Sequence, residues 1–95
     1  MKKIYIAGPM TGRVNLNFPA FHAAAAQLRA EGYSVANPAE FQQPDDATWE
    51  FYMRKDISEL VKCDAIYMLQ GWIGSRGANL EHTIATALSM EVIYQ

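Results

Sequence analysis

Four short apolar runs, separated by three stretches with helical spacing, restrict this chain to very few folds. The runs are Lys3-Ile4-Tyr5-Ile6-Ala7, Tyr33-Ser34-Val35-Ala36, Ala65-Ile66-Tyr67-Met68-Leu69 and Val92-Ile93-Tyr94. Each has strand length, and the first two are stopped by Gly8-Pro9 and Asn37-Pro38. Nearly continuous apolar runs are what strands buried on both faces require. Between them, Phe18, Phe21, Ala24, Ala25 and Leu28 recur at helical spacing, as do Trp49, Met53, Ile57, Leu60 and Val61. Asn17 and Pro19 suit the start of the first helix and Glu31-Gly32 its end. Thr48 suits the cap of a second helix beginning at Trp49, and a third runs from about Ala78 to Ser89.

The order β-α-β-α-β-α-β implies right-handed crossovers and a parallel sheet. The expected architecture is a single α/β domain over residues 1–95. It is a small three-layer sandwich with a parallel four-stranded sheet, flavodoxin-like or Rossmann-like. Ligands of such folds bind beyond the carboxyl ends of the strands. Those ends carry the 8–16 loop, the polar 37–47 loop and the 70–77 loop.

Composition narrows the partners. A net charge of −2 gives no reason to expect a nucleic acid polymer. No apolar run approaches the roughly 18 residues that span a bilayer, so no membrane association is expected. One cysteine, Cys63, excludes an intramolecular disulfide framework and fits a reducing, cytoplasmic setting. Cys63 itself reads as a small buried apolar side chain. His22 and His82 have no second ligand at zinc-like spacing, so no metal site is expected.

Three features meet at the predicted binding edge. The first is the loop after strand one, with Gly8, Thr11, Gly12 and Arg13. Glycines allow close backbone approach, and Thr and Arg bind oxygen atoms. The loop matches neither common phosphate-binding fingerprint, and a plain β-α connection is the simpler reading. The second is Ser75-Arg76-Gly77 before the last helix, where Ser75 is either a helix cap or part of an anion cradle. The third is the pair Asp56 and Glu81. Asp56 falls on the stripe of Met53 and Leu60, and Glu81 on that of Ile84, Ala85 and Leu88. Two acids on inward faces of different helices suit a nucleophile and a proton donor. Alternatively each is neutralised by an arginine, with Arg29 and Arg54 available. Trp49, Tyr52 and Trp72 could stack on a base or serve as core.

The motifs Ile4-Tyr5-Ile6-Ala7-Gly8-Pro9-Met10-Thr11-Gly12, Arg54-Lys55-Asp56-Ile57, Cys63-Asp64-Ala65 and Ser75-x-Gly77-x-x-x-Glu81 together resemble the nucleoside 2-deoxyribosyltransferase superfamily. They are also similar to the 2′-deoxynucleoside 5′-monophosphate N-glycosidases, and more closely to a small phage- and prophage-associated branch of unassigned function. The likeness runs from about residue 3 to 93; the enzymes continue beyond the position of Gln95. The resemblance implies that Glu81 is the nucleophile at the sugar anomeric carbon and that Asp56 helps protonate the departing base. It places Tyr5 near the sugar and the nucleophile. The loop Gly8, Pro9, Met10, Thr11, Gly12 and Arg13 borders the substrate. Ser75 and Gly77 match the Ser-x-Gly that meets a 5′-phosphate, which favours a nucleotide over a free nucleoside. Trp72 is expected to fill the pocket or stack on a base.

The function so implied is processing of a nucleoside or nucleotide N-glycosidic bond, by hydrolysis or transfer, with no cofactor. The alternatives are a non-catalytic nucleotide-binding protein and a partner-binding module with a vestigial pocket. A sheet with two open edges also implies a homo-oligomer.

Overall fold

A computed structural model describes residues 2–44 and 46–95; Asp45, in the predicted polar loop, lies outside the described residues. The strands are β1 (Lys3–Ala7), β2 (Ser34–Ala36), β3 (Ala65–Met68) and β4 (Glu91–Tyr94). The helices are α1 (Phe18–Ala30), α2 (Trp49–Leu60) and α3 (Arg76–Ala87). All strand pairs are parallel, in the order β2-β1-β3-β4. The chain builds first to one side of β1 and then to the other, so a crevice opens beyond the carboxyl ends of β1 and β3.

The pleat divides the strand residues between two cores. Ile4 and Ile6 pack with Ala65 and Leu69 against Phe21, Ala24, Ala25 and Leu28 of α1. Tyr5 and Ala7 pack with Ile66 and Met68 against Leu60 of α2 and Ala78 and Ala85 of α3. One helix therefore covers one face and two cover the other, giving the expected three layers. The five alanines of α1 between Ala20 and Ala26 favour helix strongly. Gly32, at φ 97°, turns the chain after it, as its position predicts.

Several sequence expectations are corrected in detail. Asn17 stands at the start of α1, but in a left-handed conformation, and its side chain makes no cap hydrogen bond. It follows Asn15 and Leu16, also left-handed, and this reversal turns the Asn17 side chain away from the helix end. The third helix starts at Arg76 and ends at Ala87, two residues earlier at both ends than predicted. Ser89, at φ 58°, takes the left-handed role usually given to glycine. The Met90 N–H then donates to the Ala85 carbonyl at 2.9 Å, closing the helix. Leu88 is thereby carried off the inward face and is 56% exposed. Val61 likewise follows the last turn of α2 and is 49% exposed.

Leu60 is fully buried while its neighbour Val61 is not. Leu60→Ala is expected to destabilise the fold by about 2–5 kcal/mol, and Val61→Ala by no more than about 0.5 kcal/mol. Urea unfolding of the two variants checks the contrast.

Candidate functional site

The crevice at β1 and β3 contains a cavity of about 970 Å³, walled by residues of all three predicted loops and of α2 and α3. Gly8 permits the tight start of the first loop: a Cβ there would lie 2.8 Å from the Leu69 Cβ. Pro9, Met10, Thr11 and Arg13 also face the cavity, whereas Gly12 stands outside its wall in a left-handed turn at φ 80°.

Glu81 reaches the cavity from α3. It shares a helix stripe with Ala78 and Ala85, three before and four after it. Both alanines are buried, and such small side chains let the helix lie close to the sheet. The Glu81 carboxyl can then meet Tyr5, whose hydroxyl donates to Glu81 Oε2. Tyr5 is fully buried and Glu81 is 5% exposed. Burial pushes the Glu81 carboxyl up to about 8; the Tyr5 hydroxyl opposes the shift and nearby Asp56 adds to it. Burial, then the Glu81 and Asp56 charges, push the Tyr5 phenol well above its ordinary value, so it remains a donor.

Asp56 enters the same cavity from α2 and is half-buried. Desolvation pushes its carboxyl up to about 6, against the opposing effects of the Gln43 hydrogen bond and Lys55. The Gln43 amide donates to Asp56 Oδ1 at 3.3 Å. Gln43 Oε1 is buried and has no hydrogen-bond partner among the described residues. Neither acid takes the arginine considered from sequence. Arg29 instead makes a two-pronged pair with Glu40, at 2.7 and 2.8 Å. Both acids are thus held by neutral donors, and two raised carboxyls face one cavity.

The 70–77 loop is shaped by its own side chains. Ser75 Oγ accepts the Ala78 N–H at 3.2 Å, as a helix cap. Its hydroxyl proton remains free to donate. Asn79 Nδ2 donates to the carbonyls of Trp72, Ile73 and Ser75, at 3.2, 2.7 and 2.7 Å. Ser75, Arg76 and Gly77 all face the cavity. The Arg76 guanidinium lies over the Trp49 ring, with Cζ 3.7 Å from its centroid.

Trp72 does not fill the pocket and is absent from its wall. It stacks on His82 with ring centroids 4.5 Å apart. His82 Nε2 and the Tyr94 hydroxyl are hydrogen-bonded at 2.8 Å. His82 follows Glu81, so the helix turns it about 100° away from the cavity, and the indole follows it. Sequence reasoning missed Gln43, Met53 and the loop-tying role of Asn79. An amide four residues into the helix after a serine cap was the available signal for Asn79.

Among the described residues no group of three or more His, Cys, Asp or Glu side chains could hold a metal ion. Among them, too, no helix is long and apolar enough to cross a membrane.

The Glu81 carboxyl titrates near 8 in the fold against an ordinary 4.5. The folded state therefore favours the protonated acid. Its stabilising effect is complete below about pH 4.5 and is lost as pH rises through about 8. Glu81→Gln, which cannot ionise, should gain stability relative to the parent across that interval. The gain is on the order of a few kcal/mol, and denaturant titrations at pH 5 and pH 8.5 measure it. A difference that does not change with pH would contradict the buried-acid assignment.

No curated protein matches this chain. Among solved structures, a 2-desoxiribosyltransferase from Leishmania mexicana superposes with a TM-score of 0.74 at 23% identity. The match covers 99% of this chain and 63% of the other, so the chain spans about 63% of the length of that protein. At this identity the likeness establishes the fold: a parallel, Rossmann-like α/β domain of the deoxyribosyltransferase type. A family model matches residues 2–94, and the chain accordingly belongs to that family, described as a domain of unknown function, DUF4406.

Proposed function

We propose that this chain processes the N-glycosidic bond of a deoxynucleoside or a deoxynucleoside 5′-monophosphate, with Glu81 as nucleophile. One observation carries the reading: a buried glutamate is held by a tyrosine and faces an aspartate across a cavity at the sheet crevice. The resemblance of the sequence motifs and the shared fold point the same way. The loop carrying Ser75 and Gly77 favours a nucleotide, through the free Ser75 hydroxyl proton and the N-terminal end of α3.

In this mechanism an oxygen of ionised Glu81 attacks the sugar anomeric carbon as the bond to the base nitrogen breaks. The base leaves with that electron pair and takes a proton from Asp56. Tyr5 holds Glu81 in line by hydrogen-bonding to its other oxygen. The resulting ester is resolved at the same carbon by water or by a second base, with Asp56 now accepting or relaying the proton. Net retention follows from two displacements. Gln43 Oε1 lacks a donor, and an N–H of the base would supply one. Gly8, Pro9, Met10, Thr11 and Arg13 border the bound substrate in this reading.

The phage or prophage setting rests on the sequence resemblance, and the cytoplasmic one on the lone cysteine. Self-association belongs to the same proposal. The outer strands β2 and β4 carry the open edges of the sheet, and Ile73 and Tyr94 are 76% and 58% exposed. Light scattering at micromolar concentration should give a mass above that of one chain; a monomeric mass refutes this part.

Base release from a panel of deoxynucleosides and their 5′-monophosphates tests the reaction. Glu81→Gln should lower kcat by at least about a thousandfold, as loss of a nucleophile does. Binding without any turnover would select a nucleotide-binding protein instead, and neither binding nor turnover a vestigial pocket. The pH profile adds an independent check. Asp56 must hold a proton while Glu81 has lost one, and the pair titrates near 6 and 8. The expected kcat/KM profile is a bell flanked by those values. Asp56→Asn should lose the alkaline fall and leave only a rise as Glu81 ionises. A profile in Asp56→Asn with an unchanged alkaline limb would remove Asp56 from the role of acid.

A further inference from the structure

Trp49, Met53 and Asp56 are spaced by four and three residues along α2, so they share the side it turns toward the cavity, and all three line it. A rise of about 1.5 Å per residue sets Trp49 about 10 Å along the helix from Asp56. Arg76 closes that far end by lying across the indole. Its guanidinium makes no ion pair among the described residues. The packing behind is close: a Cβ at Gly77 would stand 3.0 Å from Met53 Sδ and 3.8 Å from Trp49 Nε1. The indole thus has a fixed place.

This inference rests on the N-glycosidic reading above. A base bonded to a sugar at Glu81, and protonated by Asp56, must extend along this side of α2. We infer that Trp49 and Arg76 form a specificity wall that selects a purine base over a pyrimidine. The second ring of a purine carries its far edge toward Trp49 and Arg76, while a single pyrimidine ring ends nearer Asp56 and Met53. An indole gives a flat stacking face to any base, and a larger ring system covers more of it. The fork of Arg76 matches acceptors on a purine edge once it slides off the indole.

The test uses the full chain carrying Glu81→Gln, so that ligand is not consumed, and Trp72→Phe. Because the chain has two tryptophans, Trp49 is then the sole indole reporter. Deoxyadenosine and deoxyguanosine monophosphates are titrated against the cytidine and thymidine equivalents by fluorescence, with calorimetry as the second reading of Kd. Purines should bind at least about tenfold more tightly. Arg76→Ala and Trp49→Phe should each weaken purine binding by about fivefold or more and leave pyrimidine binding within twofold. Equal binding of the two classes, tighter pyrimidine binding, or equal losses in both variants would overturn the wall. If the Glu81-bearing protein still releases base in that case, the N-glycosidic reading survives it. Failure of every nucleotide to bind would overturn both.

Discussion

The hydrogen bond from Tyr5 to Glu81 is the constraint around which the rest of the molecule is arranged. It joins the middle of a central strand to the second turn of a helix, inside a core that is otherwise almost wholly apolar. A carboxyl in that place is tolerated because it can stay neutral and because a phenol answers one of its oxygens. The geometry needs a close approach of helix to sheet. Ala78 and Ala85 provide it: a larger side chain at either position would lift α3 and part the two groups.

Asp56 is placed by a different element and by different means. The second helix brings it to the same cavity, and the loop after β2 folds Gln43 back onto it. The two acids thus differ in burial and partner, which separates their proton affinities. Groups in this condition are poor contributors to stability. A site that keeps two desolvated acids and one orphan amide oxygen is using stability for another end.

The architecture was legible because it follows from alternating apolar runs, which depend on burial alone. The inward placement of Asp56 and Glu81 was legible for the same reason, since each sits on an apolar helical stripe. Thr48 and Ser75 were readable as caps because capping is local chemistry. What escaped depended on tertiary contact. Val61 and Leu88 continue the stripe in sequence, but their helices have ended before the stripe matters. Trp72 looked like a pocket residue by its place in the chain, yet it follows His82 to the outside. Gln43 gains its role only when a polar loop folds over α2, and no periodicity announces that.

The outer stack of Trp72, His82 and Tyr94 has a mechanical consequence for the interior. His82 and Glu81 are consecutive on α3, so the helix cannot roll about its axis without moving both. Any rotation that drew Glu81 away from the phenol would also pull the imidazole out from under the indole and off the Tyr94 hydroxyl. The aromatic ledge therefore works as a brake on the helix, fixing the reactive acid from the far side of the backbone that bears it.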